Sequence, residues 1–139
     1  MIYVTRTFSF AAAHRLMFHK GKCRNLHGHS YTVKVYVRGK DTSFENEHNF
    51  VLDFNDFKSI IGGWIDEHLD HATLVSEKDE KLLEVVKELG SKYYVLEDSS
   101  SEMIASHLKK VFQQLLESKG LEVFKVIVSE SPSTNAVIE

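Results

Sequence analysis

Two imidazoles one residue apart, His27 and His29, open a run of strictly alternating residues, and that pairing constrains this chain more than any other feature. In residues 28–39, Tyr31, Val33, Val35 and Val37 fall on one face, and Thr32, Lys34, Tyr36 and Arg38 on the other. A period of two is the mark of a half-buried β-strand. His27 and His29 share the parity of the valines. If the strand begins early, both rings leave the backbone on the same side, about 7 Å apart at their Cα atoms. The single cysteine, Cys23, lies four residues before His27. A soft nucleophile thus precedes a pair of metal-competent side chains.

A third imidazole extends the pattern. Residues 2–10 also alternate, with Ile2, Val4, Phe8 and Phe10 on one side and Thr5, Thr7 and Ser9 on the other. His14 lies just beyond this strand, where an antiparallel neighbour can set it opposite His27 and His29. Three histidines with an open fourth position make the ligand set of a catalytic zinc. His19 competes as the third ligand, and His68 with His71 as a second pair. Three half-buried histidines bonded to backbone are the alternative without metal.

Other residues carry chemistry of their own. Lys22 and Arg24 flank Cys23, whose thiolate would serve as base or nucleophile. A small hydrophobe is the plainer role, although this Gly- and Lys-rich loop offers few apolar neighbours. Asp70 precedes His71 at a predicted helix exit, and a carboxylate can orient an imidazole for acid–base work. A polar helix terminus is the alternative. Glu130 ends an apolar strand, where a carboxylate suits a guanidine-like N–H pair of a ligand. An ordinary strand-end charge is the alternative.

The rest of the chain reads as one α+β domain over residues 1–139. Residues 39–49 form a polar loop, and Phe50-Val51-Leu52 a short extended piece. A helix fits 55–68, capped by Asp53 or Asn55, although Gly62-Gly63 in its middle costs about 1 kcal/mol per glycine against alanine. A shorter helix fits 79–89, and Tyr93–Leu96 is extended. Ser99-x-x-Glu102 is a capping box before a helix over 100–118, stopped by Gly120. Strands over 121–130 and 135–139 follow. The order β, β, helices, β, β predicts helices on one face of an antiparallel four-stranded sheet, with open edges that invite oligomerisation.

Composition narrows the classes. The 42% hydrophobic content suits a soluble domain large enough for its own core, and no apolar run approaches the roughly 18 residues of a membrane span. One cysteine allows no internal disulfide, and the N-terminus reads as a strand rather than a leader, so a cytoplasmic location is expected. The net charge of −3 hides an asymmetry: residues 1–40 carry eight Lys/Arg and no Asp/Glu, which leaves −11 on the remainder. The crowd at His14, Arg15, His19, Lys20, Lys22 and Arg24 favours an anionic ligand, either phosphates or nucleic acid.

Taken together, these residues resemble the 6-pyruvoyl-tetrahydropterin synthase family. The likeness covers nearly the whole chain. Phe10-Ala11-Ala12-Ala13-His14 and Cys23-x-x-x-His27-Gly28-His29 look like its two zinc-ligand motifs. Asp53-Phe54 looks like the pair before its first helix, and Leu69-Asp70-His71 like its catalytic Asp-His. Ser100-Ser101-Glu102 resembles the opening of its second long helix, and Glu130 its pterin-anchoring glutamate. The three-residue gap between Cys23 and His27 resembles the branch that forms 6-carboxytetrahydropterin in queuosine and deazapurine synthesis. Ser131 stands where the family usually has Thr, and the segment 76–98 is longer and more charged than the family pattern.

The resemblance implies a T-fold whose sheets join into an oligomeric barrel, two trimers stacking into a homohexamer. It implies a zinc-dependent lyase acting on 7,8-dihydroneopterin triphosphate, a small-molecule substrate, and releasing triphosphate and acetaldehyde. His14, His27 and His29 would hold Zn2+. Cys23, Asp70 and His71 would be catalytic, with Cys23 from one subunit and Asp70/His71 from another. Glu130, Ser100, Ser101 and Glu102 would bind the pterin. No nucleic-acid or membrane partner is expected. The first alternative is the pyruvoyl-forming reaction, an elimination without carbon–carbon cleavage. The second is a non-catalytic pterin- or nucleic-acid-binding module.

Overall fold

A computed structural model describes residues 1–40 and 49–139; most of the expected 39–49 loop lies outside the described residues. The chain runs β1 (Val4–His14), a 3-10 turn (Lys22–Arg24), β2 (His27–Gly39), α1 (Phe54–Phe57), a π turn (Lys58–Gly62), α2 (Gly63–His68), β3 (Ala72–Ser76), α3 (Glu80–Glu88), β4 (Tyr93–Leu96), α4 (Ser101–Leu116), β5 (Leu121–Ser131) and β6 (Thr134–Ile138). The sheet order is β4-β3-β1-β2-β5-β6.

The expected antiparallel four-stranded sheet is the body of the domain: β1 pairs β2, β2 pairs β5, and β5 pairs β6, all antiparallel. Two short strands extend it beyond expectation. β3 joins β1 in parallel at Ala12 and Ala13, and β4 joins β3 in parallel. Residues 72–76 carry too short a pattern beside a helix exit to announce a strand. Phe50-Val51-Leu52 forms no strand; it bends, and it buries Val51 and Leu52 against the core.

The core lies between one sheet face and the helices. Tyr31, Val33, Val35 and Val37 of β2 are fully buried, as their alternation requires. Facing them are Ile104, Leu108, Phe112 and Leu116 of α4, spaced to form one helical stripe. The two glycines of the 55–68 segment mark the junction where the π turn, ending at Gly62, gives way to α2, starting at Gly63. A Cβ on Gly62 would stand 3.2 Å from the Phe8 ring, so glycine there lets the helix settle on β1. Gly120 adopts φ +68 and ends the last helical turn, where its left-handed backbone needs no side chain.

The cap of α4 falls one residue later than the capping box suggests. Ser100, not Ser99, accepts the Met103 amide. Ser99 is wholly buried and engaged elsewhere: its hydroxyl donates to the Arg15 carbonyl, and its own carbonyl accepts from His14. No helix among the described residues is long and apolar enough to cross a membrane.

Phe112 is 0% exposed and meets Trp64 edge-on at 6.0 Å between ring centroids. Phe112→Ala is expected to destabilise the fold by about 3–5 kcal/mol in urea denaturation. A loss below about 1 kcal/mol would contradict this account of the core.

Candidate metal centre

Strand register assembles the histidines. His14 stands directly opposite His27 in the β1–β2 ladder, and His29 opposite Ala12. Residues directly opposite share a face, so all three rings project from the helix-covered side at one end of the sheet. Their centroids lie 4.7–5.2 Å apart. One nitrogen from each ring falls within 4.8 Å of the others. His19 and His68 take no part in this group.

Hydrogen bonds aim the rings. The Nδ1–H of His14 donates to the Ser99 carbonyl at 2.6 Å, and that of His27 to the Asn25 carbonyl at 2.6 Å. A carbonyl oxygen only accepts, so these contacts fix the tautomer and leave Nε2 with a bare lone pair. The Nε2 atoms of all three rings are buried without a hydrogen-bond partner. Burial is the main influence holding His14 below the ordinary imidazole range; His27 and His29 push the same way, while Ser99 and Glu130 oppose them. The neutral ring is the form that ligates a metal. Three converging ring nitrogens, two of them on rings oriented by backbone carbonyls, can hold a metal ion, and imidazole suits zinc among several divalent ions.

Two further groups complete this end of the sheet. Tyr31, two residues beyond His29 on the same face, is 0% exposed, and its hydroxyl has no partner. Burial, Glu130 and Cys23 all drive its hydroxyl toward the protonated form. Alternation placed Tyr31 with the core valines; only its shared parity with His27 and His29 signals the site. Glu130 lies where the β5–β6 register shifts between Val128 and Ser131, and such irregularities re-aim side chains. Its Oε1 is 3.7 Å from His14 Nε2, and its Oε2 is 3.7 Å from His29 Nε2.

Glu130 also lines a cavity of about 190 Å³ with Ser100, Ser101 and Glu102. The fold therefore gathers these four residues around one space, at the N-terminal end of α4. Thr134 and Asn135 of β6 border it too. They escaped the sequence reading because only the β5–β6 turn brings them there.

Cys23 is a free, half-buried thiol in the 3-10 turn. Asp70 and His71 make a separate pair at another part of β1. Asp70 Oδ1 accepts the Ala11 amide at 3.0 Å, the His71 amide donates to the Ala11 carbonyl at 2.7 Å, and His71 Nδ1 meets Asp70 Oδ2 at 2.9 Å. The Ala11 amide and the His71 ring hold the Asp70 carboxyl below its usual range. His71 has φ 62, uncommon for a side-chain-bearing residue, and its side chain is 81% exposed.

Arg15 is taken up by an internal partner rather than offered to an anionic ligand. Its guanidinium grips the buried Asp79 carboxylate through two bonds of 2.6 Å, and Asp79 also caps α3 at Leu82. Lys20, Lys22 and Arg24 are the exposed cations of the 15–24 cluster. The Arg15–Asp79 pair ties the residue after His14 to the long 76–98 segment.

The profile of the 6-pyruvoyl tetrahydropterin synthase family matches residues 3–139. The chain is 35% identical over 136 residues to the 6-carboxy-5,6,7,8-tetrahydropterin synthase of Rickettsia bellii, covering 96% of each. It is 31% identical over 138 residues to the protein of that name from Haemophilus influenzae, again covering 96% of each. Among solved structures, an uncharacterized protein from Wolinella succinogenes superposes with TM-score 0.81 at 22% identity, over 99% of this chain and 97% of that one. The Caenorhabditis elegans 6-pyruvoyl tetrahydropterin synthase gives TM-score 0.71 at 24% identity, over 99% and 94%. The chain belongs to the 6-pyruvoyl tetrahydropterin synthase family and has its T-fold.

Arg15 is the main influence lowering the Asp79 carboxyl, and the Leu82 amide adds to it. Because the folded value lies below the unfolded one, this contribution to stability is complete above about pH 4 and fades as pH falls through the lowered value. Asp79→Asn is expected to lower stability at pH 7 and flatten this acid limb in urea denaturation against pH. An unaltered limb would contradict the assignment.

Proposed function

We propose that this member of the family is a zinc-dependent lyase. It converts 7,8-dihydroneopterin triphosphate to 6-carboxy-5,6,7,8-tetrahydropterin and releases triphosphate and acetaldehyde. The observation that carries this reading is the convergence of three unpartnered Nε2 atoms from His14, His27 and His29 beside a cavity floored by Glu130. The names of the relatives from Rickettsia bellii and Haemophilus influenzae support the carboxy-forming branch. So does the three-residue gap between Cys23 and His27.

Zinc on the three histidines would polarise the substrate's side-chain hydroxyls and acidify the adjacent C–H. The residues of the chain supply the rest. Glu130 accepts from the pterin 2-amino group and N3–H, a bidentate match for a carboxylate. Ser100, Ser101 and Glu102 border the same space and add polar contacts to the pterin edge. Cys23, as thiolate, moves protons on the side-chain carbons. His71, oriented by Asp70, is the partner acid and base. Lys20, Lys22 and Arg24 meet the triphosphate.

His71 is exposed and lines a different cavity, with Ala11, Ala13, Gly28 and Ser30, from the one that Glu130 lines. This supports a shared site, in which one subunit supplies the metal and Cys23 and another supplies Asp70 and His71. A homohexamer of two stacked trimers, in the cytoplasm, in the queuosine or deazapurine route, is the setting proposed. No nucleic-acid or membrane partner belongs to this reading.

Incubation of the zinc-loaded enzyme with 7,8-dihydroneopterin triphosphate is expected to yield 6-carboxytetrahydropterin and acetaldehyde by mass spectrometry. A pyruvoyl product would replace this reading with the elimination alone. Cys23→Ala should cut turnover by at least a hundredfold with metal content intact. Mixed oligomers of Cys23→Ala and His71→Ala subunits should regain part of the activity. Absence of rescue in verified mixed oligomers would refute the shared site.

A further inference from the structure

The turn that carries Asp70 and His71 is held by a side chain from beyond its own loop. At the end of α2 the amides of Leu69 and Asp70 both fold back onto the Ile65 carbonyl, at 2.8 and 3.0 Å. The Asp70 amide is thereby drawn away from the Asp66 carbonyl, its partner in a continued α-helix. Lys92 takes that place. Its ammonium donates to the Asp66 carbonyl at 3.0 Å and to the Asp70 carbonyl at 2.7 Å. A cation is the favourable charge for the carbonyls at a helix C-terminus.

The bond to Asp70 reaches further. The Asp70 carbonyl and the His71 amide belong to one peptide plane. Lys92 grips that plane at its oxygen, and the Ala11 carbonyl grips it at its nitrogen, at 2.7 Å. His71 follows with φ 62, a conformation that persists only where neighbouring bonds over-determine it. β1 supplies such bonds from one side, through the amide and carbonyl of Ala11. Lys92 supplies them from the other. It is itself anchored, because its own carbonyl accepts the Thr73 amide at 3.0 Å just before β4 pairs with β3. After the Ala11 amide and the His71 ring, its charge also helps to hold the Asp70 carboxyl low.

We propose that Lys92 is a positioning residue for the Asp70–His71 acid–base pair. Its bridge across the Asp66 and Asp70 carbonyls fixes the turn that presents the His71 ring to the cavity shared with Ala11, Ala13, Gly28 and Ser30. Lys92 touches no substrate and moves no proton. The 76–98 segment thus serves the reaction by delivering this clamp. The inference rests on the reading of Asp70 and His71 as the acid–base pair.

Steady-state turnover of 7,8-dihydroneopterin triphosphate by the zinc-loaded enzyme tests it, in the unsubstituted protein, Lys92→Met, Lys92→Arg and His71→Ala. Methionine removes the charge and the donors, whereas arginine keeps both. Lys92→Met is expected to lower kcat by about fivefold or more with KM within about twofold, since proton handling rather than binding is lost. Lys92→Arg is expected to recover most of kcat, with zinc content and oligomeric state equal in all. A smaller loss of kcat in Lys92→Met, a loss carried by KM, or an equal loss in Lys92→Arg would overturn the proposal. If Lys92→Met fails to fold, Lys92→Gln takes its place under the same limits. Full activity of His71→Ala would overturn the underlying reading as well. An inactive His71→Ala beside an unaltered Lys92→Met would overturn this inference alone.

Discussion

The antiparallel pairing of β1 with β2 is the interaction on which the rest of this molecule depends. Its register sets Val4 against Val37 at one end and His14 against His27 at the other. A slip of one residue would turn Tyr31, Val33, Val35 and Val37 out of the core and carry the imidazoles to the wrong side. The same ladder therefore specifies the hydrophobic face and the cluster of three histidines. The buried valines lock the register, and the register delivers the rings. Apolar burial, worth about 1.5–3 kcal/mol for each such side chain, is what holds the polar end in place.

That polar end is finished by backbone rather than by charged side chains. The carbonyls of Ser99 and Asn25 take the Nδ1 protons and turn both Nε2 atoms toward one point. Ser99 belongs to the residues leading into α4, and Arg15–Asp79 ties the strand end to α3. The 76–98 segment thus holds Arg15, the residue next to His14. A carbonyl cannot change with the sequence, so this half of the orienting shell is insensitive to which side chain stands at position 99.

Much of this was legible in the chain itself. Strict alternation located β1 and β2, and the histidine parity followed from it. The helical stripes placed α3 and α4. The family motifs point to Glu130 and to Ser100, Ser101 and Glu102, which line one cavity. What remained hidden had physical reasons. β3 and β4 are short parallel strands stabilised by neighbours rather than by their own pattern. The α4 cap moved because tertiary bonds claimed Ser99 first. Tyr31 is core as its alternation requires, but its place beside the histidines stayed hidden because both follow the same periodicity on one strand face. Arg15 looked like part of an anion site because its partner, Asp79, lies far along the sequence.

Within β1, Ala11 anchors the Asp70–His71 turn through both its amide and its carbonyl, and three residues later the strand ends in His14. An extended strand is nearly inextensible, rising about 3.3 Å per residue. It works as a measuring rod: within one subunit, the distance from the Asp70–His71 turn to the histidine cluster is set by covalent geometry, not by loop length. Insertions in the helical half can drift through evolution without recalibrating that distance, whereas a single deletion between positions 11 and 14 would ruin it.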